Sequence, residues 1–544
     1  MNATVAPSPS EAPRGTPLRS RPEPRLRLRD NPLLVAQARR RLRLRQTLPG
    51  VLIVVVLGFC GVLLALTQRE REAWAGLAWF SLVLTGLALF LRAPLRLAGL
   101  VSEERQAGLL DFHRATPTSA WTDAVGYLLG IPAREYLLAA VTLPFLILGT
   151  LLAGFSLPAV LGVFAVFLLS GLLYHAFALL AGLSLERRWS AVGVAILGVV
   201  GVLTAWLPFV RSGLTAFAYL TPFPVMGELL VEGGPFGDVG TDVTFFGLEL
   251  PATVFTVLVQ GWLLAFLLVA SVRKVRRADA TLLSRPGAFL FLATALAIAA
   301  GSAWSVPGEW AEELLWPVAA AQVGVTFLVL GGATAALLLG ALVPSYLERV
   351  RAQRRARKAG RRRVHWLQDG ASVLPLPLAF GALLFGGLLL VVASTPADLR
   401  LPLTAWAVVA VATETLALGF AGCLGEYVRL VHRRSARAQT LLWGFLTVVL
   451  PWILSGIVAA GSGGHRFALW FAAPSPLYAV AHALVHAGAS WSSGSALVSA
   501  WGAGPFVLSL AATAAYAGAF FALAARASAR ATADRPQASA APTT

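Results

Sequence analysis

The chain has 544 residues, of which 57% are hydrophobic and only 13% are charged, whereas ordinary soluble domains carry about 25% charged residues. This composition excludes a soluble globular protein, and the long apolar runs exclude a disordered chain, which requires low hydrophobicity and high charge. The net charge of +18 comes almost entirely from arginine, and this sign is expected for the cytoplasmic loops and anionic-lipid contacts of a membrane protein.

Two further features of the composition limit the function. Cys60 and Cys423 both lie within apolar runs and far apart in sequence, which argues against a disulfide framework and a cysteine-rich metal site. The basic segments lie between apolar runs and lack interleaved aromatic residues, so no nucleic acid is expected as a partner. We therefore expect an all-α polytopic integral membrane protein whose basic residues contact membrane lipid.

The N-terminal region precedes the first apolar run. Residues 1–30 are rich in proline and arginine without apolar periodicity, which predicts a disordered cytoplasmic tail. Residues 31–47 combine Pro32 at a first helical position with leucines among many arginines. This pattern predicts an amphipathic helix at the membrane surface, with simple charge flanking as the alternative. The first apolar run begins only at Leu48, so it is interpreted as a retained span rather than a signal peptide.

A bilayer core about 30 Å thick requires about 20 helical residues, and about twelve segments of the chain meet this requirement. Loops on one side carry clustered arginines, whereas the longest loop on the other side is acidic, which predicts that both termini are cytoplasmic. The predicted transmembrane helices are centred near Val56, Thr85, Pro144, Phe167, Leu197, Leu258, Thr294, Leu328, Ala382, Val409, Val449 and Ser509.

The pattern of loop lengths in residues 48–270 recurs in residues 286–526. Each half contains six predicted spans and carries paired prolines in its last outer loop, as Thr-Pro-Phe-Pro and Ala-Pro-Ser-Pro. This predicts a 6+6 pseudo-two-fold arrangement with its axis along the membrane normal, unless two alanine-rich halves resemble each other by chance. Residues 271–285 are then a cytoplasmic connector, and residues 527–544 a disordered C-terminal tail.

The cytoplasmic segment 99–130 is too polar to span the membrane and too patterned for a plain linker. It predicts a helix, a break and a second helix, with Glu103 and Glu104 in a first turn and Thr116 capping the second helix ahead of Pro117. The hairpin is either a surface for a cytoplasmic partner or an interfacial element that seats the bundle. Its apolar stripe consists of Leu109, Leu110 and Phe112.

The motifs around this segment resemble the ATP-binding-cassette (ABC) type-2 permease family. They are Asn31-Pro32 with a basic helix before the first span, Glu-Glu-Arg at 103–105, Gly-Leu-Leu-Asp at 108–111 and Thr-Pro at 116–117, while Gly126-Tyr127 stands where the family has Gly-Lys. The resemblance implies an exporter permease whose coupling segment docks on a separate ATPase subunit. Its implied ATPase-coupling residues are Glu103, Glu104, Arg105, Gly108, Leu109, Leu110, Asp111, Thr116 and Pro117.

The chain lacks a nucleotide-binding motif of its own. A P-loop requires a Gly-Lys-Ser/Thr sequence, and the two lysines, Lys274 and Lys358, lie in Arg-Lys-Val and Arg-Lys-Ala. The resemblance therefore implies that ATP and Mg bind to the partner ATPase, and that this chain binds no cofactor and is not an enzyme. It further implies that two ATPase copies are recruited, although the long inner loop of the second half, residues 344–370, is arginine-rich and lacks the coupling signature.

Ionisable residues within predicted spans are rare and costly to insert. Glu414 in the tenth span and His175 in the fourth are candidates for a substrate pathway, and the alternatives are a protonated glutamate and a neutral histidine bonded to neighbouring groups. His482 and His486 lie four residues apart, with His465 earlier in the same outer loop. A metal site requires a third or fourth ligand, so no metal is expected and surface histidines are the preferred interpretation.

The leading hypothesis is an ABC exporter permease that crosses the cytoplasmic membrane of a prokaryote many times and moves a substrate that the sequence does not identify. An ion-coupled secondary transporter is the alternative, because many of these also have six plus six spans. An integral-membrane enzyme of the glycosyltransferase type would need acidic catalytic residues at the outer surface. Asp238, Asp242 and Glu249 are available there but form no recognisable paired motif.

Overall fold

A computed structural model describes residues 30–68, 70–116, 118–185, 188, 190–198, 200, 215–230, 242–304, 316–361, 364–432, 435–462, 465–489 and 503–533. Within these residues the chain is almost entirely helical, and eleven helices are long and apolar enough to cross a membrane. The protein is therefore a multi-pass, all-α membrane protein, as its composition predicts. The eleven helices are Leu44–Gln68, Arg71–Gln106, Ala133–Leu152, Val160–Ser184, Ala252–Arg276, Arg285–Ser302, Gln322–Leu342, Leu376–Ala393, Leu403–Val431, Gln439–Ala460 and Gly504–Arg530.

Each of these eleven helices contains one of the predicted centres, which confirms eleven of the predicted spans. The remaining centre, Leu197, lies in a stretch where residues 186, 187, 189 and 199 are outside the described residues. Most of the predicted N-terminal tail also lies outside them. At the other end the last helix continues to Ala533, into the predicted disordered tail, because the alanines and arginines there are strong helix formers.

The N-terminal half of the chain begins with α1 (Pro32–Arg41) and α2 (Leu44–Gln68). The described elements that follow include α3 (Arg71–Gly86), a π-helical turn (Leu87–Arg92), α4 (Ala93–Gln106), α5 (Leu109–Ala115), α6 (Ala120–Gly130), α7 (Ala133–Leu152), α8 (Leu157–Ser184), a 3₁₀ turn (Thr215–Leu220), α9 (Phe223–Leu230), β1 (Asp242–Phe245), β2 (Leu248–Pro251) and α10 (Ala252–Arg276).

The C-terminal half has the same helical character. Its described elements include α11 (Arg285–Ser302), α12 (Trp316–Leu342), α13 (Tyr346–Lys358), α14 (Leu376–Ala393), α15 (Ala397–Val431), α16 (Ala436–Gly444), a π-helical turn (Phe445–Val449), α17 (Leu450–Ser462), α18 (His465–Ala472), α19 (Pro476–Ala489) and α20 (Ala503–Ala533). The core of this half is built around Phe327, Phe380 and Leu384, whereas Leu97, Tyr127 and Leu179 belong to a cluster in the other half.

The first helix starts where the sequence predicts but ends earlier. The Asn31 side chain caps α1 by accepting hydrogen bonds from the Leu33 and Leu34 amides, and Pro32 occupies the first position. The chain turns at Leu42, and the first span begins at Leu44, so the last residues of the predicted surface helix belong to the span. One face of α1 packs along α6, which gives this helix a protein partner within segment 99–130.

The span helices pack in corresponding ways in the two halves. In the N-terminal half, α2 contacts α3 and α7, α7 contacts α3 and α8, α8 contacts α4, and α10 contacts α8. In the C-terminal half, α11 contacts α12 and α14, α12 contacts α14 and α15, α15 contacts α14, and α20 contacts α15. The short helix after each pair of prolines also packs in a corresponding way in the two halves. Helix α9 packs on α8 and α10, and α19 packs on α15 and α20.

One two-stranded hairpin interrupts the helical architecture. Strands β1 and β2 pair antiparallel, and the turn between them places Phe246 and Gly247 at positive φ, as two-residue hairpin turns require. The Phe246 amide donates a hydrogen bond to the Gly301 carbonyl near the end of α11 at 3.0 Å. The hairpin therefore bridges α10, which follows it in the chain, and α11, the next span.

Candidate functional site

Segment 99–130 forms a helix, a break and two short helices, and its first part differs from the prediction. The second span runs as one helical stretch from Arg71 to Gln106, so Glu103 and Glu104 lie in its last turn and not in a first turn. The helix dipole disfavours acidic side chains at this end. Gly108 then ends the stretch in the left-handed conformation at φ +74°, which glycine adopts without steric cost.

The second break also differs from the prediction. The N-cap of α6 is Ser119, whose hydroxyl accepts a hydrogen bond from the Thr122 amide at 3.1 Å. The Thr116 hydroxyl instead donates back to the His113 carbonyl at 2.6 Å, so it closes α5. Pro117 lies outside the described residues.

Glu104 is held inside the protein by two donors. The Tyr127 hydroxyl donates to Glu104 Oε2 at 2.6 Å, and Gln37 Nε2 on α1 donates to Oε1 at 3.2 Å. Burial, together with the nearby Glu104 carboxylate, raises the pKa of Tyr127, so the hydroxyl keeps the proton that it donates. Tyr127 thus joins α6 to the end of the second span.

Close packing of α1 on α6 depends on two glycines spaced four residues apart. A Cβ at Gly126 would lie 2.9 Å from Leu33 Cβ, and one at Gly130 would lie 2.9 Å from Gln37 Cβ. Asn31 Nδ2 also donates to the Thr122 carbonyl at 2.7 Å. This joint between α1 and α6 is not among the contacts predicted from the sequence, although the small-xxx-small spacing in α6 is a recognisable signal for close helix packing.

Two arginines fasten the segment to the ends of other spans. Arg105 donates to the Leu183 carbonyl at 3.1 Å, at the end of α8. Arg114 donates to the Val275 and Lys274 carbonyls at 2.8 and 3.0 Å, at the end of α10. These carbonyls have no partner within their own helices, so the arginines cap them. The sequence does not single out Arg114, because its partners lie about 160 positions away.

The predicted coupling residues divide into a buried and an exposed group. Leu110 is buried, whereas Leu109 and Phe112 on α5 are 48% and 66% exposed. The Asp111 side chain is 77% exposed and pairs with Arg114, and Glu103 pairs with Arg188 at 2.5 Å on the surface. We call Leu109, Asp111 and Phe112 the α5 surface. It combines apolar side chains with an acidic group, a composition typical of docking sites.

Glu414 lines a cavity within the span region of the C-terminal half. The cavity has a volume of about 510 Å³ and lies among α12, α15, α17 and α19. Glu414 is only 8% exposed, and its carboxylate has no hydrogen bond or ion pair with any described residue. A Cβ on Gly332 would collide with this carboxylate, so the glycine provides the space that the acid occupies. The remaining lining is apolar and includes Phe420, Trp452 and Leu484.

His175 occupies a different environment. Its Nδ1 lies 2.7 Å from the Tyr136 hydroxyl, and its Nε2 lies 2.8 Å from the Leu89 carbonyl. Because the carbonyl can only accept, Nε2 carries the proton and Nδ1 accepts from Tyr136. These contacts are the ones expected of the predicted alternative, a neutral histidine bonded to neighbouring groups. His175 also does not line the Glu414 cavity.

Of the three histidines in the last outer loop, only His482 has a described side chain, and it is not at the surface as the sequence predicts. His482 is buried and stacks on Phe506 with ring centroids 4.6 Å apart, while the side chains of His465 and His486 lie outside the described residues. Among the residues whose positions are described, no group of three or more His, Cys, Asp or Glu side chains could hold a metal ion. Comparisons of the chain with protein-family models, curated proteins and solved structures found no match.

Proposed function

We propose that this chain is the membrane-spanning permease of an ABC exporter, powered by a separate ATPase subunit that binds ATP and Mg and docks on the α5 surface. The observation that carries the proposal is the attachment of segment 99–130, which includes this surface, to the ends of other span helices. Arg114 on α5 caps the end of α10. In the last turn of the second span, Arg105 caps the end of α8 and Glu104 accepts a hydrogen bond from Tyr127 on α6. A displacement of α5 by a partner would therefore move the bundle.

In this proposal the short helices α1, α5 and α6 move together as one rigid unit. Glycine contacts lock α1 to α6, and buried charge-assisted hydrogen bonds resist sliding between α6 and the second span. ATP-driven closure of the partner would press on Leu109 and Phe112, and the force would reach the helix ends through the arginine caps. The result is a shift between inward-facing and outward-facing states of the bundle.

The matching contacts of the two halves support a 6+6 arrangement about a pseudo-two-fold axis, with both termini cytoplasmic and the chain in a prokaryotic cytoplasmic membrane. Two ATPase copies then bind one chain. The counterpart of α5 in the C-terminal half is α13, which follows the corresponding span and is strongly basic. The two docking surfaces thus differ in charge, and the second ATPase copy makes different contacts.

The Glu414 cavity supports a transport function in either of two classes. In a permease it is part of the substrate pathway, because a carboxylate that has no partner among the described residues is left for a ligand. In an ion-coupled secondary transporter, the same carboxylate would bind the coupling proton. The two classes differ in whether an ATPase is attached.

The experiment is purification of the tagged chain from its native membrane in mild detergent, with protein identification and vanadate-sensitive ATP hydrolysis measured on the same sample. A copurifying P-loop ATPase is expected. Phe112→Ala should abolish its recovery, because it alters only the exposed surface. Asp111→Arg should do the same, and it also removes the ion pair with Arg114. Leu248→Ala is the matched control, since Leu248 is equally exposed, at 65%, but lies on the hairpin. A chain that purifies alone at normal expression, without ATPase activity, would overturn the permease proposal in favour of the secondary transporter.

A further inference from the structure

Four arginines from three parts of the chain surround one buried carboxylate. Glu135, in the first turn of α7, is fully buried, and its Oε1 lies 3.4 Å from both Arg92 Nε and Arg96 Nη1. Arg41 at the end of α1 interacts electrostatically with Arg96 and Glu135, and Arg134 with Arg92, Arg96 and Glu135. We call these four arginines the arginine cluster.

The charge of this cluster is not balanced within the protein. Glu135 provides a single negative charge for four guanidinium groups, and the next acid that acts on Arg41, Glu104, is already bonded to Gln37 and Tyr127. A buried cation without a counter-ion is costly. Burial, with the neighbouring Arg96 and Arg40, lowers the pKa of Arg41, and Glu135 and Glu104 offset this only in part.

Two members of the cluster also lack hydrogen-bond acceptors. Arg41 is only 9% exposed, and neither it nor Arg134 makes a side-chain hydrogen bond or ion pair with any described residue. Guanidinium groups carry five donors and are almost always paired when they are buried. The adjacent Arg39 and Arg40 on the same helix are exposed to solvent and need no such partner.

The position of the cluster indicates where an anion would come from. Arg92 follows the apolar part of the second span, and its side chain is 49% exposed. The first span begins three residues after Arg41, and Leu48 and Leu52 near its start are exposed, as expected of side chains that face lipid. The cluster therefore lies at the end of the spans, where lipid headgroups are located.

We propose that the arginine cluster binds the phosphate of an anionic phospholipid. Phosphate oxygens accept the planar, forked donors of arginine in pairs, and Arg41 and Arg134 have donors free for this purpose. The lipid charge offsets the excess that Glu135 leaves uncompensated. Its tails lie against the exposed leucines of the first span. The proposal is independent of whether the chain is a permease.

The test uses the full-length protein in nanodiscs of neutral phosphatidylcholine with or without phosphatidylglycerol. Native mass spectrometry counts the lipids retained after ejection from the nanodisc, and thermal unfolding is followed on the same samples. Wild type should retain phosphatidylglycerol in preference to phosphatidylcholine and unfold at a higher temperature when it is present. Arg41→Gln and Arg134→Gln should each weaken retention about tenfold, since each removes charge-assisted hydrogen bonds. Arg41→Lys should lose less than Arg41→Gln, because the charge remains although the forked donors are lost.

Arg39→Gln and Arg40→Gln are the matched controls, because they remove the same charge from the exposed face of the same helix. Equal losses in the controls and in Arg41→Gln would overturn the proposal, because general surface charge would then account for retention. Equal retention of the two lipids by wild type would also overturn it. Inorganic phosphate provides the last arm: if it stabilises the protein in phosphatidylcholine alone as much as phosphatidylglycerol does, the ligand is a free anion and not a lipid.

Discussion

Tyr127→Phe tests the rigid link between α6 and the second span. The change removes one hydroxyl and leaves a fully buried ring in place. The hydroxyl donates to the Glu104 carboxylate at 2.6 Å, and hydrogen bonds to charged groups contribute about 1.5–3 kcal/mol. Glu104 keeps its second donor, Gln37, at 3.2 Å. The free energy of unfolding should therefore fall by about 2 kcal/mol.

The measurement is SDS titration of the purified protein in mixed micelles, with helicity as the signal. Tyr516→Phe is the control, because the Tyr516 hydroxyl makes no hydrogen bond with any residue described. A loss no larger than that of the control would refute the assignment of Glu104 and Tyr127 as a joint. If the proposed function is correct, Tyr127→Phe should also reduce substrate transport per ATP hydrolysed while the ATPase still copurifies, because the α5 surface is unchanged.

Gly149→Ala should lower the free energy of unfolding by about 1–3 kcal/mol, because a Cβ there would lie 2.8 Å from the Ala78 nitrogen. Gly386 has open space around it, so Gly386→Ala should leave the free energy of unfolding unchanged or raise it in the same titration. Glu414→Gln should reduce transport into inverted vesicles without loss of ATPase recovery, and unchanged transport would remove Glu414 from the pathway. Burial raises the pKa of Glu348 above its ordinary value of 4.5, so its stabilising effect is complete below pH 4.5 and is lost as the pH rises through the raised pKa. As the pH rises above 4.5, the melting temperature of Glu348→Gln should therefore fall less than that of wild type. Equal slopes of melting temperature against pH would contradict this.

The spans could be predicted because length and hydrophobicity alone determine whether a helix crosses a bilayer. The start of α1 could also be predicted, since Asn31 and Pro32 act within one helical turn. The position of Glu103 in a last turn could not be predicted, because the second span continues past its apolar part without a local stop signal until Gly108. Thr116 and Ser119 are both good caps, and only the competing bond from Thr116 to the His113 carbonyl decides between them.

The composition of segment 99–130 is evident from the sequence, but the contacts that it makes with other spans are not. Leu109, Asp111 and Phe112 are exposed as a docking surface requires, and local pattern indicates as much. Arg114 looks like any basic residue on a short helix, and its role depends on carbonyls about 160 positions later in the chain. Pairings of this kind are set by how the spans pack, which no local pattern encodes.

The joint between α1 and α6 has a consequence for the biosynthesis of the protein. Asn31 and Thr122, which it brings together, are 91 positions apart, and ribosomes add about 5–20 residues per second. Roughly 5 to 20 seconds therefore separate the emergence of α1 from that of its partner, and the first two spans are synthesised in this interval. A nascent chain that stops before residue 120 contains α1 but not α6, the helix on which it packs. Helix α1 therefore reaches its final place only after the first two spans have been made.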